Sequence, residues 1–387
     1  MKLSDRMDRI QPFHVMRLLA RARELEAAGM DVVHMEIGEP DFATAAPVVR
    51  AGCQALQAGH TGYLPAAGLP ALREAIARHY AVRYGADIDP QRILITPGAS
   101  GALVVALAML ANPGENVLLP DPGYPCNRNF VELVDAIPRA VPVNEDSRYQ
   151  LTAALAGAHC DAQTAAMVVG SPSNPTGTMA SEAALSALAA FAETKQMGLI
   201  VDEIYHGLHY DVAPAQAVIS APNAIVVNSF SKYFGMTGWR LGWMVVPSGW
   251  VEDAEKLMQN LFINASTPAQ YAALACFTPE AEAIFESRRA DFRARRDFLL
   301  PALRDLGFHI PVTPEGAFYL YANVEKLTED SADFSARLLE NQGVAITPGV
   351  DFEVSAPQKH VRFAYTTDLH QLAVALDRIG THLRADA

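Results

Sequence analysis

Cysteine is scarce in this 387-residue chain: Cys53, Cys126, Cys160 and Cys276 are scattered, with no Cys-x-x-Cys pair. That spacing argues against a disulfide framework and a zinc site, and reads the four as small buried hydrophobes in a reducing compartment. Long apolar runs are missing as well. The longest, residues 101–111, falls well short of the roughly 20 residues that cross a bilayer. The first sixteen residues carry Asp and Arg and lack the apolar core of a secretory signal. The expectation is a soluble, cytoplasmic protein. Positive charge is in deficit: 30 Lys and Arg stand against 43 Asp and Glu, a net −13. An acidic surface repels phosphate backbones and argues against a nucleic-acid partner, so an anionic ligand must be held by a few local donors. No Gly-x-Gly-x-x-Gly follows the first strand with an acidic residue some 20 positions on, which argues against a nicotinamide-binding oxidoreductase.

What is abundant is apolar material. Half the residues are hydrophobic and 19% are charged, enough for large cores, and the length suggests two domains. Short apolar runs at Ile93–Thr96, 117–120, 166–169, 199–201 and 225–228 alternate with helical patterns such as 101–111 and 181–196. Strands so short and so apolar are buried on both faces, and their alternation with helices predicts a mostly parallel sheet in an α/β domain. We assign this large domain to 46–280. Residues 281–387 read as a smaller α+β domain: a helix over 288–303, strands near 308–311 and 318–322, a helix over 331–341, apolar runs at 344–346 and 361–364, and a last helix over 369–383. Residues 1–45, with an amphipathic helix over 10–28, form an arm that joins the smaller domain.

In open parallel sheets ligands bind beyond the carboxyl ends of the strands, so the residues following each run matter most. Ile93–Thr96 leads into Pro97-Gly98-Ala99-Ser100-Gly101 at a helix start. There, free backbone N–H groups and the helix dipole suit a phosphate, although such a turn also serves as a plain connection. Run 166–169 leads to Ser171-Pro172-Ser173-Asn174-Pro175-Thr176-Gly177, which is equally good turn chemistry. Run 199–201 ends in Asp202-Glu203-Ile204-Tyr205. A carboxylate there is costly to desolvate without a cationic or hydrogen-bonding partner; a helix cap is the other reading. Run 225–228 leads to Lys232 among Phe230, Tyr233, Phe234 and Trp239. Apolar surroundings lower a lysine's pKa toward that of an imine-forming amine or a general base. Together, a phosphate cradle, a buried carboxylate, a lysine in apolar company and the nearby Arg240 are what a phosphorylated pyridine aldehyde requires.

Five motifs extend this pattern: Gly-Glu-Pro-Asp-Phe (38–42), Asn-Pro-Thr-Gly (174–177), Asp-Glu-Ile-Tyr (202–205), Ser-Phe-Ser-Lys-Tyr-Phe-Gly-Met-Thr-Gly-Trp-Arg-Leu-Gly (229–242) and Pro-Glu-Gly-Ala-Phe-Tyr (314–319). From Gly38 to Arg362 the sequence resembles the class I/II aminotransferases of fold type I, the aspartate aminotransferase superfamily. The resemblance implies a homodimer that uses pyridoxal 5′-phosphate to move an amino group from an L-amino acid to a 2-oxo acid, 2-oxoglutarate first among them, by a ping-pong scheme. Lys232 would hold the cofactor as an imine and then carry the proton between the substrate Cα and the cofactor C4′. Asp202 would pair with the ring nitrogen, Tyr205 would donate to the ring hydroxyl, and Tyr124 would stack on the ring. Ala99, Ser100, Ser229 and Arg240 would hold the phosphate, with Tyr63 reaching the phosphate of the neighbouring subunit. Asn174 would touch the ring hydroxyl and the substrate carboxylate. Arg362, with the Gly38 backbone, would clamp that carboxylate as a two-pronged donor, which lysine cannot do.

Two departures stand out. Ser171 replaces the first Asn of the family's Asn-Pro-x-Asn-Pro-Thr-Gly. In the arm, Pro12 is followed by Phe13-His14-Val15-Met16 where many relatives have small hydroxyl residues, which predicts a more apolar side-chain pocket than in an acid-specific enzyme. A carbon–sulfur lyase or cyclopropane-forming synthase would use a related site, but the Met-Thr-Gly-Trp-Arg form of the lysine loop leans to transamination. A cofactor-sensing transcription regulator would need a DNA-binding module, and the stretch before Gly38 is too short and the net charge wrong for one.

Overall fold

The computed structural model describes residues 2–10 and 12–386. Its centre is a seven-stranded sheet. The strands of the chain are β1 (Val33–His34), β2 (Ile93–Thr96), β3 (Asn116–Asp121), β4 (Ile137–Pro142), β5 (Thr164–Gly170), β6 (Gly198–Asp202), β7 (Ile225–Ser229), β8 (Gly242–Val245), β9 (Tyr319–Asn323), β10 (Val344–Ala345), β11 (Thr347–Pro348) and β12 (His360–Ala364). The large sheet runs β2-β8-β7-β6-β5-β3-β4. From β7 to β4 all neighbours are parallel; β8 is antiparallel to both β7 and β2. The expected α/β class with a mostly parallel sheet and flanking helices is what is found.

The core strands form because their runs are continuously apolar and β-branched, which suits a strand covered on both faces. β2, β7 and β8 are buried at every position. Two core clusters pack on the two faces of this sheet. Leu94, Val117, Val168, Ile200 and Val227 point to one, and Ile95, Leu118, Val169, Val201 and Val226 to the other. Local signals set the helix ends. Ser181 caps Glu182–Lys195 and Thr278 caps Pro279–Asp305 through side-chain oxygens, and Gly85 and Gly343 close their helices in the left-handed conformation.

The sheet order fixes where a ligand can lie. The chain moves outward from β3 to β4, then returns to β5 and proceeds the other way through β6 and β7. The reversal opens a crevice between the carboxyl ends of β3 and β5, the switch point where open α/β sheets bind ligands. A three-stranded antiparallel sheet, β11-β12-β9, and the β1-β10 pair stand apart from the large sheet. Helix His14–Ala27 packs its Ala22 and Leu25 on Val32, Leu339 and Ala345.

Several expected elements need correction. Residues 308–311 form no strand, only an isolated bridge from His309 to Asn323. The arm helix starts at His14 rather than residue 10. The long helix begins at Pro279 rather than 288, because Thr278 and Pro279 supply a helix start that the later basic stretch overshadowed. The cysteines are not uniformly buried: Cys276 is, Cys126 and Cys160 are partly covered, and Cys53 is exposed; all four are free.

Candidate active site

A cavity of about 390 Å³ opens at the switch point. Strand ends, the arm and the three-stranded sheet line it together. β3 contributes Pro120 and then Gly123 and Tyr124; β5 contributes Gly170 and then Pro172, Ser173 and Asn174; β6 contributes Asp202 and then Ile204 and Tyr205. The loop after β7 brings Lys232, the segment after β1 brings Gly38, and β12 brings Arg362.

Lys232 donates from Nζ to the Gly38 carbonyl at 2.6 Å. Enclosure pushes its amine down to about 8, and Arg362 and Arg240 add to the fall while Glu39 and Asp202 oppose it. The aromatic company differs from the expected set. The Tyr205 and Phe318 rings lie 5.9 and 5.7 Å from Nζ, whereas Phe230, Tyr233 and Phe234 turn the other way, onto Trp243 and Phe285. The carboxyl group of Asp202 is buried at the end of β6. Burial pushes it up to about 7 against the opposing pull of the Ile204 N–H and of Lys232, and its Oδ1 accepts from Ile204 N at 3.1 Å. The Tyr205 hydroxyl pairs with that of Tyr319 at 2.8 Å. Tyr319 was missed as a site residue although its motif was recognised. It fixes Gly38 too: a Cβ at Gly38 would fall 2.2 Å from the Tyr319 hydroxyl oxygen.

The Arg362 guanidinium is held from several sides. Nη1 donates to Asn174 Oδ1 at 3.0 Å, and Nη2 donates to the Glu36 carbonyl and to Thr347 Oγ1. Its plane faces the Tyr319 and Phe352 rings at 4.4 and 4.6 Å. Its Nε is buried with no hydrogen-bond partner among the described residues.

Beside the cavity lies a second cluster. Helix Gly98–Leu110 begins here, so the N–H groups of its first turn, including those of Ala99 and Ser100, lack intrahelical acceptors. A Cβ at Gly98, whose φ is +70°, would sit 2.7 Å from Arg240 Nη2, so glycine is what lets the guanidinium close on the helix start. Arg240 donates to the carbonyl of Thr237, a cavity-lining residue. Ser229 and Ser231 share a hydroxyl bond at 3.0 Å next to Lys232. A cation, serine hydroxyls and free N–H groups at one helix start make a donor set for a phosphate dianion.

Of the twelve expected site residues, Gly38, Tyr124, Asn174, Asp202, Tyr205, Lys232 and Arg362 line the cavity. Ala99, Ser100, Ser229 and Arg240 gather at the adjoining helix start. Tyr63 is not brought to this chain's own cavity and stands 83% exposed. The arm contributes Phe13, Val15, Met16, Leu19 and Arg23 to the wall.

Comparisons with known proteins show the family. Residues 30–379 match the family model for aminotransferase class I and II. The chain is similar, at 38% identity over 97% of each chain, to a valine–pyruvate aminotransferase of Mycobacterium tuberculosis. It is 37% identical to a (5-formylfuran-3-yl)methyl phosphate transaminase of Methanocaldococcus jannaschii, over 98% of this chain and 99% of the relative. The crystal structure of an aminotransferase from Mycobacterium tuberculosis matches all of both chains with a TM-score of 0.96 at 37% identity. The aspartate aminotransferase from Thermus thermophilus with maleate matches 98% of this chain and 99% of its own, with a TM-score of 0.92 at 33% identity. This chain belongs to the class I and II aminotransferases and is a transaminase.

Proposed function

We propose that the protein is a pyridoxal-phosphate transaminase that takes its amino group from L-amino acids with apolar side chains, with 2-oxoglutarate as acceptor, in a ping-pong scheme. The observation that carries the reading is the meeting, in one cavity, of the Lys232 amine, the Asp202 carboxyl and the Arg362–Asn174 pair. The residues fit the cofactor: the Gly98–Arg240 cradle matches its phosphate, Asp202 its ring nitrogen, and Lys232 its aldehyde. When bound, pyridoxal phosphate supplies a conjugated ring that takes up the electron pair left at the substrate Cα.

The chain's own residues then have distinct tasks. Arg362 and Asn174 hold the substrate carboxylate and so orient the Cα–H bond. Lys232 would take the proton from Cα and return it to the cofactor. Asp202 would keep a proton on the ring nitrogen. Tyr205, steadied by Tyr319, would donate to the ring hydroxyl, and Tyr124 would pack against the ring. Ala99, Ser100, Ser229 and Arg240 would bind the phosphate. Tyr63, exposed on this chain, completes the phosphate site of a second copy in a homodimer. The division into an arm (1–45), a large domain (46–280) and a small domain (281–387) belongs to the same reading. It is supported by the confinement of the large sheet to strands from β2 to β8. We place the enzyme in the cytoplasm.

The donor preference rests on the wall that Phe13, Val15, Met16 and Leu19 present. The name of the valine–pyruvate relative supports an apolar donor. Arg23, beyond Leu19 on the same wall, offers a cation to the distal carboxylate of 2-oxoglutarate. A donor panel read by the visible spectrum tests this: valine, leucine, phenylalanine or methionine is expected to convert the bound cofactor to its amino form at a kcat/KM at least about tenfold that for aspartate. A preference for aspartate would overturn the apolar assignment. Release of pyruvate and thiol from cystathionine without conversion would overturn transamination.

The lowered amine of Lys232 sets a pH dependence. An ammonium has no lone pair, so covalent uptake of the cofactor by the empty enzyme requires the neutral amine. Uptake is expected to rise tenfold per pH unit up to a midpoint near 8, where an unperturbed lysine would keep rising to about 10.4. Stopped-flow absorbance from pH 6 to 10 gives the midpoint. A midpoint above 10 would remove the desolvated amine.

A further inference from the structure

The cavity wall formed by helix His14–Ala27 is held in place by a residue more than 330 positions away. This helix lacks a cap of its own: Phe13 occupies the N-cap position and makes no side-chain bond to the first turn. Its first free N–H groups are taken by Asp351 instead. The His14 N–H donates to Oδ1 and the Val15 N–H to Oδ2, both at 2.8 Å. Asp351 is 4% exposed and ends the 3-10 turn Gly349–Asp351. Its backbone carbonyl accepts from Arg128 at 2.6 Å.

The helix is anchored unevenly. Its buried residues are Ala22 and Leu25, both in the second half. That half is further tied by Arg21, which donates from Nε and Nη2 to the two oxygens of Glu340. The first two turns, which carry Val15, Met16 and Leu19 to the cavity, bury none of their residues fully; Leu18 alone packs, partly covered, against the Ala22–Leu25 cluster. Before the helix, Arg6 and Arg9 pair with Asp135 and Glu132, but such surface pairs hold weakly. The polar anchor of the cavity-facing half is the Asp351 carboxylate, which meets two N–H groups and the positive end of the helix dipole. Phe352, the next residue, lies on the Arg362 guanidinium. One short segment thus positions the side-chain wall relative to the carboxylate clamp.

We propose that Asp351 is a positioning residue for donor selection: its carboxylate latches the arm helix over the donor's side chain. The inference rests on the cavity being the transaminase site. A donor with a long apolar side chain needs the latched wall, whereas alanine, with a single methyl group, does not reach it.

The test uses the full-length holoenzyme as wild type, Asp351→Asn and Asp351→Ala. Asparagine keeps the shape and one acceptor oxygen, so it guards against loss of the fold. Hydrogen exchange at the amides of residues 14–19, measured without donor, is expected to quicken roughly tenfold in Asp351→Ala and less in Asp351→Asn. The ratio of kcat/KM for leucine to that for alanine is expected to fall about tenfold, mostly through the KM for leucine. Unchanged exchange at 14–19, or an equal loss for both donors, would overturn the latch. Failure of the transaminase reading is separable: wild type would then convert no amino acid, while the exchange rates would still report whether Asp351 holds the helix.

Discussion

Lys232→Ala is expected to abolish transamination and leave the protein folded. The fold survives because, among the described residues, the Nζ group makes one hydrogen bond, to the Gly38 carbonyl, and that carbonyl lies at the cavity wall where water can replace the amine. Function fails for two reasons. On the proposed reading the amine would be both the covalent attachment point and the base that moves the proton between Cα and C4′. Loss of a positioned base alone lowers a rate by roughly 10²–10⁴, and loss of attachment adds to this. Two measurements check the outcome. After borohydride reduction in the presence of pyridoxal phosphate, the mass of wild type rises by a phosphopyridoxyl group and that of the variant does not. In the donor assay the variant's kcat falls by at least the stated range. Full turnover by the variant would sink the assignment of Lys232.

Asp202→Ala is expected to keep the cofactor and lose the rate. The phosphate cradle and Lys232 are untouched, so uptake persists, but nothing holds the proton on the ring nitrogen. Removing one such preorganised electrostatic partner lowers kcat by roughly 10²–10³. Near-normal turnover would take Asp202 out of the mechanism. The same variant carries a stability signature in the cofactor-free protein. Burial raises the Asp202 carboxyl from 3.8 to about 7, so between those values the native state binds more protons than the unfolded state. Wild-type stability therefore falls with rising pH across that window, and the alanine variant lacks this loss. Denaturant midpoints of the two empty proteins are expected to diverge in favour of the variant from pH 4 to above 7.

The central strands were legible because burial on both faces writes itself as an unbroken apolar run, and β2 was read to the residue. The two strands of the large sheet absent from the expected set are absent for different reasons. β4 lies at the sheet edge, is largely uncovered, and contains Pro138 and Pro142, which suit an edge and mute a strand signal. β8 begins at Gly242, inside the lysine motif, and was read as chemistry rather than structure. Within the site, Lys232, Asp202 and Asn174 were legible because polar residues directly after buried strands stand out. Tyr319 and Asp351 were not. Tyr319 matters through its bond to Tyr205, and Asp351 through two N–H groups more than 330 positions away. No local pattern encodes either contact. The Pro-Glu-Gly-Ala-Phe-Tyr motif was the one available hint for Tyr319.

The place of β8 has a consequence for synthesis of the chain. β2 is an edge strand whose hydrogen-bonded partner is β8, with Thr96 opposite Gly242. A ribosome adds roughly 150 residues between the two, which at about 5–20 residues per second takes about 7–30 s. During that interval β2 awaits its partner strand, and the Ile93–Ile95 run stays open to mispairing. The apolar β2 edge therefore stays unpaired until β8, ending at Val245, has been made.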